Sequence, residues 1–145
     1  MRYHIYCNQK SITHNHLLAI EEFGKRLSAY CEIYLHTDMS LQLPKEINHK
    51  SHQILLLQSG ISTYSSDDFA KCINDMQLQG KSTIHVIIGY SEIQLYHALP
   101  KNSDYSNLTY LSLSNSTLTT QTSSLLFYEQ LYRAYTILQG KTYHK

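Results

Sequence analysis

At 145 residues the chain has the size of one domain and is long enough to bury a sizeable core. Hydrophobic residues make up 42% and charged residues 16%, the balance of a soluble globular protein. A formal net charge of +1 excludes the overall basic surplus usual for a nucleic-acid binder and leaves only a local patch for such contact.

The elements in chain order alternate strand and helix. Arg2 to Cys7 alternates and is rich in Tyr and Ile, which predicts an opening strand. Asn15 to Tyr30 reads as a helix, with Leu17, Leu18, Phe23 and Leu27 as its apolar stripe and Glu22 four residues before Arg26. Glu32 to His36 reads as a second strand, and Met39 to Lys50 as a loop broken by Pro44. Gln53 to Leu57 is a dense apolar run, the pattern of a strand buried on both faces. Ser66 to Gln79 is a helix capped by Ser65 or Ser66, with Asp67 and Asp68 at its positive end and Gly80 closing it. Thr83 to Ile88 is another buried strand, ending at Gly89. Tyr90 to Asn107 is irregular, with a helical turn near Leu95 and a break at Pro100. Leu108 to Leu113 is the last strand. In the final helix Leu125, Tyr128, Leu131, Tyr132, Tyr135 and Leu138 recur at three- and four-residue steps, Thr122 and Ser123 are placed to cap its start, and Gly140 to end it. This alternation predicts a parallel α/β sheet in one domain spanning residues 1 to 145, with no repeat and no linker.

Cys7, Cys31 and Cys72 are widely spaced with no C-x-x-C pair, which points to reduced thiols in a cytoplasmic protein and to no zinc site. His14-x-His16 lacks a third ligand at a sensible spacing, so no metal is expected. His4, His36 and His85 fall on strands and His49, His52 and His97 in loops, without a pattern. No segment reads as a signal peptide or a membrane span. G-x-G-x-x-G, the P-loop and G-x-S-x-G are all absent.

One stretch carries a resemblance. FYEQLYRAYTILQGKTYHK, Phe127 to Lys145, is similar to the C-terminal signature of the ribosomal RNA large subunit methyltransferase H family, E-Q-[VIL]-Y-R-A-[FW] followed by G-x-x-Y-H-[KR]. Glu129, Gln130, Tyr132, Arg133, Ala134, Gly140, Tyr143, His144 and Lys145 match it. Ile20 to Ile33 and Ser65 to Gly89 match two further family segments, so the resemblance runs along nearly the whole chain. Asp38 to Ser51 is shorter than the family's segment and lacks its acidic helix.

The resemblance implies a SPOUT-like α/β fold with a C-terminal trefoil knot, an obligate homodimer, and S-adenosylmethionine-dependent methylation of a pseudouridine in large-subunit ribosomal RNA on the ribosome. It implies that cofactor-binding residues come from three places: Leu56 in the third strand; the loop at Gly89; and Leu113, Ser114, Asn115, Ser116, Thr117 and Leu118 after the last strand. It implies that Arg133, Tyr143 and His144 reach the RNA from the partner subunit. For Arg133 a second reading stands beside this one, a helix pair with Glu129; for Tyr143 the alternative is a cap on the dimer interface. The family's I-G-G-x-x-G loop is here Ile88 to Ile93, with Tyr90 and Ile93 in place of two glycines. The family's P-H-x-x-x-R falls on Thr119 to Ser124, with Thr120 for the histidine and Ser124 for the arginine. Threonine cannot take up a proton at neutral pH, and serine cannot pair with an anion as arginine does. A family member that binds RNA, ribosome or protein without methyl transfer is therefore the alternative function.

Overall fold

The computed structural model describes residues 1–60 and 62–143. Its strands are β1 (Arg2–Cys7), β2 (Glu32–Thr37), β3 (His52–Leu57), β4 (Thr83–Ile88) and β5 (Leu108–Leu111). Its α-helices are α1 (His14–Leu27), α2 (Ser66–Leu78), α3 (Glu92–Ala98) and α4 (Thr120–Leu138), and a 3₁₀ turn occupies Lys45–Asn48. The strands form one sheet in the order β2-β1-β4-β3-β5, and every pairing is parallel. The expected α/β class therefore holds.

Side chains alternate along each strand, so the sheet has two distinct faces. Tyr3 and Ile5 of β1, Leu55 of β3, Ile84, Val86 and Ile88 of β4 and Leu111 of β5 point toward α1, α2 and α4. There they meet Ile20 and Leu27 of α1, Phe69 and Ile73 of α2, and Phe127, Leu131 and Ala134 of α4. The Tyr3 and Tyr135 hydroxyls, both buried, bond each other at 3.0 Å. The opposite face carries Tyr6, Ile54, Leu56 and Ile87. It is covered by Ile47 of the 3₁₀ turn, by Tyr90, and by Leu95 and Leu99 at α3.

Several boundaries differ from the sequence reading. β5 stops at Leu111, because Ser112 turns its hydroxyl onto the Ser114 carbonyl and starts a loop. α4 begins at Thr120, five residues before the first apolar position expected for it, Leu125. Its cap is Thr119, whose hydroxyl accepts from the Thr122 amide, rather than Thr122 or Ser123. α4 packs against both α1 and α2, so its buried face is wide and centres on Phe127, Leu131 and Ala134, leaving Leu138 exposed. Gly140 ends it as expected, at φ +64, with the Lys141 amide reaching back to the Thr136 carbonyl. In α1, Ile20 takes the buried place expected of Leu18, which lies more than half a turn away and is 51% exposed. α3 is a complete short helix rather than a single turn, closed by a capping box between Ser91 and Gln94.

Candidate functional site

Three segments converge where β3, β4 and β5 end. Leu57, Gln58 and Ser59 follow β3; Ile88, Gly89 and Tyr90 close β4; Leu113, Ser114, Ser116 and Leu118 follow β5. With Thr120, Ser123 and Leu126 of α4 they line a cavity of about 290 Å³. The carboxyl end of a parallel sheet is where such folds place ligands, because the loops there are free to shape a site.

Gly89 is the tightest point. Its φ is +80, and a Cβ there would lie 2.6 Å from Thr120 Oγ1 and 3.2 Å from Asn8 Cβ. Only glycine has both the conformation and the room. Asn8 Nδ2 donates to the Gly89 carbonyl at 2.9 Å, which fixes the amide's orientation. Asn8 Oδ1 is thereby left buried with no partner among the described residues. Gly89 is thus held by close packing against Thr120 and Asn8 at the edge of the cavity.

The sequence-derived residues divide. Gly89, Leu113, Ser114, Ser116 and Leu118 line the cavity. Asn115 and Thr117 sit in the same loop without lining it, and Asn115 accepts a hydrogen bond from the Thr63 hydroxyl. Leu56 points to the other face of the sheet, fully buried beside Ile54 and Ile87, and its neighbour Leu57 lines the cavity in its place. Sequence reasoning missed Gln58, Ser59, Ser123 and Leu126, which share no motif and meet only through the fold.

Tyr90 does not fill the cavity. Its hydroxyl donates to the Asp38 carbonyl, so the ring is drawn toward the second face of the sheet and packs near Tyr6 and Ile47. Ile93 is 67% exposed on α3. Thr120 lines the cavity against Gly89, whereas Ser124 is fully buried. The Ser124 hydroxyl donates to the Thr120 carbonyl at 3.0 Å and touches Cys7 Sγ at 3.2 Å. Among the lining residues Tyr90 is the one titratable group, and burial raises its hydroxyl pKa further.

The C-terminal signature is largely a packing device. Gln130 accepts from Ser66 at the start of α2. Tyr132 lies against Phe23 and Tyr30. Glu129 holds Arg133 with bonds of 3.0 and 3.2 Å, the pairing expected of residues four apart. The Arg133 guanidinium lies 4.5 Å from the centre of the Tyr143 ring. His144 lies outside the described residues.

Among the described residues there is no cluster of three His, Cys, Asp or Glu side chains that could hold a metal, and no helix long and apolar enough to cross a membrane.

Residues 1–144 match the family described as predicted SPOUT methyltransferase. The chain is 34% identical over 146 residues to ribosomal RNA large subunit methyltransferase H 1 of Thermoanaerobacter sp., covering 100% of both chains. It is 34% identical over 148 residues to ribosomal RNA large subunit methyltransferase H of Clostridioides difficile, and 33% over 147 residues to that of Bifidobacterium adolescentis. Each of these two matches covers 88% of this chain and 89% of the relative. An all-parallel sheet, loops converging at its carboxyl end and a full-length match lead to one conclusion: the chain belongs to the SPOUT methyltransferase family.

Proposed function

We propose that this protein transfers a methyl group from S-adenosylmethionine to a pseudouridine of large-subunit ribosomal RNA, working as a homodimer in the cytoplasm. The observation that carries this reading is the cavity at Gly89, together with the family match along residues 1–144. Its volume of about 290 Å³ is close to the lower bound for small-molecule pockets.

When bound, S-adenosylmethionine supplies an electrophilic methyl group. The chain supplies position and enclosure. The Gly89 backbone lets the ligand approach closely; Ser114, Ser116, Thr120 and Ser123 offer hydroxyls; Leu57, Ile88, Leu113, Leu118 and Leu126 exclude water. Leu56, Asn115 and Thr117 support this shell from behind. The trefoil threading implied by the family belongs to the same reading. It is supported by the segments after β3 and β5 running side by side, with the Gln58 amide bonded to the Leu111 carbonyl and the Tyr64 amide to the Ser112 carbonyl, each at 2.9 Å.

The homodimer is supported by distance within one chain. Thirteen residues separate Thr120 from Arg133 on α4, about 20 Å at 1.5 Å per residue. Arg133, with Tyr143 against it, therefore serves a partner's cavity better than its own. We propose that these two residues and His144 meet the RNA.

A second reading is favoured by the lining itself. No His, Asp, Glu, Lys, Arg or Cys borders the cavity among the described residues, so no lining group takes the pseudouridine N3 proton near neutral pH. A member that binds RNA, ribosome or a protein partner without transferring a methyl group would look the same. Calorimetric titration with S-adenosylmethionine, followed by labelled-methyl transfer to unmodified ribosomes, separates the readings. Binding with transfer is the expected result; binding without transfer, or no binding at millimolar ligand, selects the second reading.

A further inference from the structure

The second face of the sheet holds a larger cavity than the first site, about 600 Å³, under the segment that joins β2 to β3. Its floor is a row of rings raised from four neighbouring strands. The register sets His4 of β1 beside both Tyr34 of β2 and His85 of β4, and Tyr6 beside His36. The His4 ring stacks on His36 at 5.2 Å and on His85 at 5.6 Å, and His85 stacks on His52 at 5.1 Å. Ring nitrogens bond in two pairs: His4 Nδ1 to His36 Nε2 at 2.9 Å, and His52 Nδ1 to His85 Nε2 at 3.0 Å. The Tyr6 hydroxyl closes the set on His85 Nδ1 at 3.2 Å. Histidines that looked scattered in the sequence thus form two hydrogen-bonded sets joined by ring stacking, and His52 belongs to a strand rather than to a loop.

We propose that this imidazole row is a proton-sensitive pin on the outer strand β2: neutral rings tie β2 to the sheet, and proton uptake below about pH 6.5 lets β2 open locally. The chemistry follows from the pairs. Each N···N bond needs one N–H and one lone pair, which two neutral rings provide. A second proton in a pair sets two N–H donors against each other at 2.9 Å. Even a first proton places charge 5.6 Å from the neighbouring pair, where His85 is 1% exposed. β2 is the strand that yields because it is an edge, paired with β1 alone.

From β1, Arg2 faces the row as a further positive charge, bonded at 2.8 Å to Glu32 of β2, which holds that carboxylate at Arg2. From the covering segment, Asp38 and Glu46 face the cavity, and His49 lies at the His52 ring. Lys81, before β4, bonds the His52 carbonyl at 3.2 Å. Burial, then His49 and Lys81, lowers the His52 pKa against the opposing pull of Glu46. Burial leads at the other rings too: His36 is lowered by it, His4 by it and then by His36 and Arg2, and His85 is pushed down to about 3. Tyr6, also by burial, is pushed up to about 12 and stays protonated as a donor. Tyr34 stacks on His4 at 5.2 Å, and Tyr90 borders the cavity from β4.

A ring whose pKa is lower when folded keeps its full contribution above the unfolded value and loses it as pH falls from there. Each proton that the row refuses and the unfolded chain accepts raises the unfolding constant about tenfold per pH unit. For each ring so lowered, the outer strand loses protection as pH falls below the unfolded value, at most about tenfold per pH unit.

Hydrogen exchange of the full chain at pH 7.5, 6 and 5, corrected for intrinsic rates, tests this. The expected result is a selective loss of protection over β2 relative to α2, absent in His36→Gln and His85→Gln and retained in a control, His97→Gln, on exposed α3. His36 is exposed at the sheet edge, so that variant keeps the test sound if the buried His85 variant fails to fold. Protection falling equally over β2 and α2, or persisting acid sensitivity in His36→Gln, overturns the proposal. Neither result depends on methyl transfer, so the proposed function stands or falls separately.

Discussion

The two faces of the sheet are built on different principles. Toward α1, α2 and α4 the strands present Tyr3, Ile5, Leu55, Val86 and Leu111, and three long helices bury them. On the other face the cover is a short helix, a 3₁₀ turn and Tyr90, with a polar ring array filling the part left open. The first face is a conventional apolar core, stabilised by burial and close packing. The second has a smaller apolar cluster around Ile54, Leu56 and Ile87 and, beside it, ring stacking and hydrogen bonds that depend on protonation. The candidate site lies at the end of the sheet, where Tyr90 belongs to both regions.

The contrast can be broken most forcefully from the helix side. Phe127→Ala removes a fully buried ring from between α2 and the sheet and should cost about 4 kcal/mol in urea unfolding. Gly89→Ala should cost about 3 kcal/mol, from a strained φ and a methyl group driven against Thr120, and should abolish S-adenosylmethionine binding in a calorimeter. A stable, ligand-binding Gly89→Ala variant would remove Gly89 from the argument. Tyr90→Phe deletes the bond to the Asp38 carbonyl and should cost about 1 kcal/mol while leaving ligand affinity unchanged, since the hydroxyl points away from the cavity. Tyr90→Gly should not tighten binding, because the ring already lies clear; tighter binding would show that it obstructs. Glu129→Gln should be the mildest, about 0.5 kcal/mol for a partly exposed helix pair, yet it frees Arg133 and should change ribosome affinity in a sedimentation assay if that arginine meets RNA.

Much of this was legible in the residues. β1 and β4 begin and end where alternation and Gly89 set them, and the period from Leu125 to Leu138 with Gly140 after it located α4 and its end. α3 escaped because seven residues give too few turns for a period, although Ser91 and Gln94 were the cap that could have revealed it. Leu56 was misplaced by one residue relative to the cavity, and in a strand one residue reverses the face. The imidazole row was beyond reach from spacing alone. It exists only because β2, β1, β4 and β3 are adjacent in that order, and strand order is a property of crossovers, not of any local pattern.

That strand order also governs when the molecule can form. β1 precedes its second ladder partner, which begins at Thr83, and the helix that covers Tyr3 ends at Leu138. Tyr3 and Ile5 must remain without their final neighbours until α4 has been made. Contacts this distant in sequence slow folding, since the loops between them must close before any reward arrives. Folding of the sheet therefore waits for α4, and a nascent chain stopped before that helix would carry an open apolar sheet face that calls for chaperone cover.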